Sequence, residues 1–374
     1  MTATAIDIPL LSIKAQNQAL LPEIRAAVNR VLESGAFILG RENKAFDLEF
    51  AEMAGARYAL GVDSGTSALE LALEAIGVGP GDEVIVPTYT FIATATAVSV
   101  LGARPVFADV DDDTLTLDPA SVERLITKKT KAIVAVHIFG QPADIDPLLT
   151  IGKTKHLHLV EDCAQSHLAT YKGRPAGSLG EFGAYSFYPT KNLGAAGDAG
   201  AVVTNDEASR DRVIELRNCG RAVGATYAHA RVGHNCRLDE IQAAILRVKM
   251  LHLKSWTQSR RRLAGLYCKR LKDLPLRLPP MGASGTEPVF HLFTVRCGRR
   301  DALAAHLKRH AVGCGVYYPL SVHLQPAYAA LGGREGQLPV AERASRETLC
   351  LPMFPELSDA EHARVCDAVR GFFQ

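Results

Sequence analysis

A single lysine, Lys191, stands in the stretch YSFYPTKNLGAAGDAGAVVTN (185–205) among hydroxyls, small residues and glycines, with no other cation in that stretch. A lysine in dry, cation-poor surroundings holds its proton less firmly, and its neutral amine is then a nucleophile. Asp162 closes the apolar run HLVED (158–162), and Gln165 follows one short turn later. Ser64, Gly65 and Thr66 lie between the apolar run YALGV (58–62) and the amphipathic run SALELALEAIG (67–77). Backbone amides at a helix start, joined by a hydroxyl, cradle a phosphate. The same residue types also cap helices with no ligand present. Asp162 likewise either faces a ligand or caps the helix after it.

Taken together, a phosphate cradle, a carboxylate and an isolated lysine point to pyridoxal phosphate. The lysine joins the aldehyde as a Schiff base. The carboxylate keeps the pyridine nitrogen protonated, so that the ring accepts electrons from a breaking Cα–H bond. The competing cofactor signatures are missing. YALGV is not followed by G-x-G-x-x-G, no G-x-x-x-x-G-K-[ST] loop occurs, and no G-x-S-x-G elbow appears. GVGPGD (77–82) reads as a turn between a helix and a strand.

These groups need elements to hold them. From residue 58 to about 205, short apolar runs alternate with amphipathic ones. YALGV, EVIVP (83–87), PVFADV (105–110), AIVAVHI (132–138), HLVED, AYSFYP (184–189) and AVVTN (201–205) read as strands. SALELALEAIG, PASVERLI (119–126) and DIDPLLTIGK read as helices. Such alternation predicts an α/β fold with a mostly parallel sheet covered on both faces, whose ligands bind beyond the carboxyl ends of the strands. From Asp239 a helical pattern continues through EIQAAILRVKMLHLKSWTQSRRRLAGLYCKRLK and reads as one long spine helix. A proline- and glycine-rich break (274–288) comes next, then strand VFHLFTVR, helix DALAAHLKRHA, strand GVYYP and a final helix from Ser358, a smaller α+β unit.

Bulk properties narrow the function. The chain has 374 residues, 47% hydrophobic and 22% charged, with a formal net charge of +2, so nucleic acid is not expected as the main partner. The densest basic stretch, Arg260-Arg261-Arg262, reads as a solvated helix face or a landing site for an anionic substrate. Eight cysteines lie singly, without zinc spacing, so no metal site is expected and a reducing compartment is. The N-terminus MTATAIDIPLLSIKAQNQ lacks the pattern of a signal peptide, and no apolar run reaches the ~20 residues of a membrane span, so a cytoplasmic location without a membrane partner is expected.

Several blocks resemble the sugar aminotransferases of the DegT/DnrJ/EryC1/StrS family. They include SGAFILG (34–40), SGTSALELAL (64–73), GDEVIVPTYTFIATATAV (81–98), EDCAQS (161–166), SFYPTKNLGAAGDAGAVVTND (186–206), GHNCRLDEIQAA (233–244) and LPMFPELSD (351–359). The resemblance covers nearly the whole chain. It implies a fold-type I aminotransferase: a cofactor-binding large domain over residues 1–240, with the N-terminal helix, and a spine helix with a small α+β domain over 241–374. It further implies that Lys191 carries pyridoxal 5'-phosphate, that Asp162 pairs with the pyridine nitrogen and that Gln165 contacts the ring hydroxyl. Phe91 would stack on the ring, while Gly65, Thr66 and Ser186 bind the phosphate. Asn235 would reach that phosphate from the neighbouring subunit, so that a homodimer shares its active sites. The implied reaction is ping-pong transamination from glutamate to a nucleotide-linked keto sugar. RLDEIQAAILRVKMLHLKSW and YYPLSVHLQPAY (317–328) resemble the subgroup acting at C3 of dTDP-3-keto-6-deoxyhexoses, with Tyr188, Arg221, Tyr318 and His323 as candidate substrate contacts. A 4-keto or UDP-linked 3-keto substrate, a dehydratase or epimerase, and a non-catalytic regulator are the alternatives. Some family members have histidine in place of the lysine and act as dehydratases; the lysine here favours amino transfer. His167 and Cys163 depart from the family pattern, which has smaller residues there.

Overall fold

A computed structural model describes residues 7–282 and 285–374. Met1–Ile6, the start of the segment read for a leader, and residues 283–284 of the proline- and glycine-rich break lie outside the described residues. The strands, in chain order, are β1 (Tyr58–Val62), β2 (Glu83–Pro87), β3 (Arg104–Ala108), β4 (Thr130–Val136), β5 (His158–Asp162), β6 (Thr170–Tyr171), β7 (Arg174–Pro175), β8 (Phe182–Ser186), β9 (Gly200–Thr204), β10 (Thr286–Glu287), β11 (Phe293–Arg296) and β12 (Thr348–Leu351). Seven of them form the central sheet in the order β1-β9-β8-β5-β4-β2-β3. β9 pairs antiparallel with both of its neighbours, and the other pairs are parallel. β6, β7 and β10 form a small separate sheet.

The central strands are largely apolar because both faces are covered. Side chains alternate between the faces. Val84, Val86, Ala132 and Val134 pack with Leu69, Leu71 and Leu73 of the helix Gly65–Ala75. Their neighbours Ile85, Ile133 and Ala135 pack on the other side with Ile145 and Leu148 of the helix Ile145–Lys155. At the β1 end, Phe46 and Phe50 of the helix Arg41–Ala54 stack at 5.4 Å and meet Phe187 edge-on. That helix begins on a buried carboxylate. Glu240 accepts the backbone amides of Gly40, Glu42 and Asn43 at 2.7, 2.8 and 2.9 Å, and the Asn43 side chain at 2.7 Å. An anion at a helix start satisfies amides that have no partner within the helix. This contact links two of the blocks singled out in the sequence.

Four expectations about the C-terminal part change. The single spine is two helices, Glu240–Met250 and Leu253–Leu271. The ladder breaks at Leu251 and His252, where the His252 amide reaches back three residues to Lys249 rather than four. GVYYP is not a ladder strand; only Gly315 bridges to Cys350. The partner of β11 is β12, which sequence reading passed over, and β11 itself starts at Phe293, two residues past His291. The basic stretch divides: Arg262 is exposed on the helix, as expected of a solvated face, but Arg260 is not. Arg260 is buried and donates to the carbonyls of Phe290, His291 and Met353, while Arg262 pairs with Asp359. Around it, Leu263, Tyr267, Phe293, Leu303, Leu349 and Val365 form a second core that also takes in Ile8. No helix among the described residues is long and apolar enough to cross a membrane.

Candidate active site

β1, β2, β4, β5 and β8 run in one direction, so their carboxyl ends open on one edge of the sheet. A cavity of about 620 Å³ lies there. Its wall holds Gly65, Thr66, Phe91, Asp162, Gln165, Ser186, Tyr188, Lys191 and Tyr318, nine of the residues singled out in the sequence.

Asp162 is buried at the last position of β5. Its Oδ2 accepts the Thr94 hydroxyl at 2.9 Å and its Oδ1 accepts the Ala164 amide at 3.1 Å. The Thr94 proton is thus committed, so Thr90, at 2.9 Å from Thr94, donates to it. Burial pushes the Asp162 carboxyl above the usual range, and the Ala164 amide, the Thr94 hydroxyl and the Lys191 charge pull the other way. The residue before it does different work. Glu161 accepts the amides of Gly177, Leu179 and Gly180 at 2.7–2.8 Å and lies 3.0 Å from His137 Nε2. His137 Nδ1 accepts the Ala143 amide, so Nε2 carries the proton given to Glu161. His137, Glu161 and Cys163 bring potential ligand atoms within 4.8 Å of one another, but those of His137 and Glu161 are taken up by these bonds.

Lys191 follows β8 on a turn closed by its own amide to the Tyr188 carbonyl at 2.8 Å. Desolvation brings its amine down to about 8, against the attraction of Asp162. Behind it, burial and the Lys191 charge press the His167 imidazole down to about 3, so it is neutral at pH 7. His167 packs on Tyr185 and Phe187, with centroids 5.4 and 5.5 Å apart. The low cation density read from the sequence is therefore matched by neutral neighbours in space.

The Ser64 segment caps a helix and also borders the cavity. Ser64 Oγ accepts the Ser67 amide at 3.0 Å and caps the helix Gly65–Ala75. The start of that helix also opens into the cavity, where its amides and the Thr66 hydroxyl suit a phosphate. Gly65 lies so close to β8 that a Cβ there would stand 2.5 Å from the Ser186 Cβ. Gln165 Oε1 accepts the Phe139 amide at 2.6 Å, which turns the Gln165 amide nitrogen toward Tyr318 Oη at 3.4 Å. Phe91 is 54% exposed at the cavity, with its ring centroid 6.0 Å from that of Tyr318.

Three candidates are not in this wall. His323 is buried elsewhere, its Nδ1 2.7 Å from Thr88 Oγ1 and its Nε2 3.4 Å from Glu342. Its place among the substrate contacts is corrected: those bonds make it a tie between the chain after β2 and the helix Pro339–Glu347. Arg221 and Asn235 lie exposed on the loop 219–235, bridged to His229 and Asn218. Conversely, Thr90, Thr94, Asp198, His291 and Tyr317 line the cavity but escaped sequence reading. For Thr94 the signal was its spacing of four from Thr90 directly after a strand. For His291 it was a lone imidazole in the apolar run VFHLF.

A helix start for phosphate, a buried carboxylate for a pyridine nitrogen and an amine of lowered basicity for an aldehyde fit pyridoxal phosphate. Comparison with known proteins agrees. The chain is 47% identical to the dTDP-3-amino-3,4,6-trideoxy-alpha-D-glucose transaminase of Streptomyces venezuelae, covering 97% of this chain and 95% of that one. It is 43% identical to the UDP-N-acetyl-3-dehydro-alpha-D-glucosamine 3-aminotransferase of Acidithiobacillus ferrooxidans, covering 97% of both. The X-ray structure of S. venezuelae DesV in complex with a ketimine intermediate superposes with a TM-score of 0.96 at 47% identity, over 99% of each chain. The model of the DegT/DnrJ/EryC1/StrS aminotransferase family matches residues 18–370, and the chain, a pyridoxal phosphate-dependent transferase, belongs to that family.

Proposed function

We propose that this enzyme aminates C3 of a dTDP-linked 3-keto-6-deoxyhexose, with glutamate as the amino donor, in a homodimer whose two chains share each active site. The observation that carries the reading is the joining of Lys191, Asp162 and the Gly65–Ala75 helix start in one cavity, in a chain 47% identical to a dTDP-sugar transaminase. When bound, pyridoxal phosphate supplies a carbonyl for exchange with amines and a ring that takes up the electrons of the Cα–H bond.

The residues of the chain do the rest. The helix start and the hydroxyls of Thr66 and Ser186 hold the phosphate. Asp162, kept in place by Thr94 and Ala164, would hold a proton on the ring nitrogen. Gln165, whose amide nitrogen points toward Tyr318 Oη, would contact the ring hydroxyl, and Phe91 would cover the ring face. Lys191, with a pKa of about 8, accepts a proton at Nζ and returns it near neutral pH, as a general base and then a general acid. Tyr188 and Tyr318 face the sugar. The exposed loop carrying Arg221 and Asn235 is the part that would enter the partner's cavity, bringing a cation to a diphosphate and an amide to the cofactor phosphate. Residues 1–240 act here as the cofactor-binding part and residues 241–374 as the spine and small domain, in a protein of the cytoplasm.

The A. ferrooxidans relative favours a second reading, a UDP-linked 3-keto sugar. The test incubates the purified enzyme with glutamate and a panel of dTDP- and UDP-linked 3-keto and 4-keto sugars, with mass spectrometry to find which gains nitrogen. Amination of a dTDP-3-keto sugar is expected. Turnover of UDP sugars alone selects the second reading, and no amination of any keto sugar overturns both.

A further inference from the structure

Lys249 is a buried lysine with no part in the chemistry above. It is 1% exposed, on the helix Glu240–Met250, and its Nζ donates to the Gly194 carbonyl at 2.7 Å. Gly194 lies three residues after Lys191, in the same loop. That loop turns back on itself. The Ala195 amide donates to the Phe187 carbonyl at 2.8 Å, and a Cβ on Gly194 would stand 2.4 Å from the Pro189 carbonyl oxygen. Among the described residues no backbone amide reaches the buried Gly194 carbonyl, so Lys249 is its donor. Gln242, seven residues before Lys249 and so on the same face of the helix, accepts the Ala196 amide at 2.9 Å. Between the two, Ala243 and Leu246 share a core with Leu193 and Ala195.

We infer that Lys249 is a positioning residue for Lys191: by holding the Gly194 carbonyl it fixes the loop from which the Lys191 amine reaches the cavity. The inference rests on the proposed role of Lys191. A lysine that bonds to the cofactor and then releases it cannot fasten its own loop through its side chain, so the backbone must be held by other residues. Packing alone does not call for a cation at position 249. Burial brings the Lys249 amine down to about 8, against the attraction of Glu356. A methionine would fill the same space without burying a charge. What the lysine adds is a donor at the end of a long side chain, and it is delivered to the turn that carries Lys191.

The test compares wild type with Lys249→Met in two measurements on the full-length protein, neither of which needs a sugar. In the first, apoprotein is mixed with pyridoxal phosphate, quenched with borohydride at intervals and mapped for label at position 191. In the second, binding of pyridoxamine phosphate is followed by fluorescence; that molecule fills the same site but has no carbonyl for Lys191 to attack. Labelling of Lys191 is expected to slow roughly tenfold, because a misplaced nucleophile loses rate steeply, while pyridoxamine phosphate binds within about twofold of wild type. A lysine that merely supports the fold predicts that both measurements weaken together or that neither changes. Either of those results overturns the inference. If the methionine variant does not fold, Lys249→Gln, whose side chain is shorter and draws back from the Gly194 carbonyl, takes its place with the same expected split. Absence of label from position 191 in wild type would overturn the role of Lys191 itself. Failure to aminate any sugar, with the split between the two measurements intact, would count against the proposed substrate and not against this role.

Discussion

The Thr94 hydroxyl donates to Oδ2 of Asp162 at 2.9 Å, from the helix Ala93–Val100 that follows β2 to a carboxylate at the end of β5. This bond favours the charged carboxylate in a place where burial disfavours it. In Thr94→Val the Asp162 carboxyl therefore moves further up, and the acid limb of the activity profile shifts to higher pH. A loss of about tenfold in kcat/KM at neutral pH is expected, the worth of one hydrogen bond to a charged group. Steady-state rates across pH check both.

Lys191 makes a second, opposite prediction. Its folded pKa of about 8 lies below the ordinary lysine value, so the unfolded chain binds the proton more tightly. The buried charge thus lowers stability below pH 8, and the loss fades as pH climbs toward the unfolded value near ~10.4. Apo Lys191→Met is expected to melt higher than wild type at pH 7, by a margin that shrinks toward pH 10, while losing all amine transfer and all labelling at position 191 by borohydride. Paired thermal scans and peptide mapping give the answer.

Glu240 is a purely structural counterpart. Glu240→Ala leaves three amides at the start of the helix Arg41–Ala54, two of them buried, without their acceptor. A loss of about 3 kcal/mol is expected. A fall in the urea midpoint at constant slope measures it.

Asp112 joins Arg277, Arg296 and Arg343, the last two at 2.7 Å. Hydrogen bonds from these arginines hold its carboxyl well below the usual range. Because the folded pKa is depressed, the stabilisation is present above the unfolded value near ~3.9 and is lost as pH falls through the folded one. Asp112→Asn is expected to be less stable than wild type at pH 7, with the gap closing in strong acid and narrowing in high salt because the cluster is partly exposed. Acid titrations of both proteins, followed by circular dichroism, test this.

The parts of the site legible in the sequence are those fixed by local chain geometry. Asp162 and Ser64 stand directly at strand ends, and Lys191 is marked by its surroundings, so apolar runs and a charge gap located all three. The parts that escaped depend on contacts far apart in sequence. His291 enters the cavity because Arg260 and Asn192, 31 and 99 residues away, hold its backbone and its ring. His323 misled for the same reason, since its partner Thr88 is 235 residues distant. Periodicity found the central sheet, where every strand is covered on both faces, but missed β12, a short apolar run that follows directly on a helix. It also joined two helices into one, since the break at Leu251 needs neither proline nor glycine.

Glu161 and Asp162 are consecutive in β5, and a pleated chain turns such neighbours to opposite sides of the sheet. One fastens the loop 177–180 from behind; the other lines the cavity in front. A deletion of one residue within β5 would exchange their posts, sending the scaffold anchor into the cavity and the cavity-lining carboxylate into the wall. The strand therefore has no freedom to drift in phase, and substitutions between residues 158 and 162 should be tolerated far more readily than any change in their number.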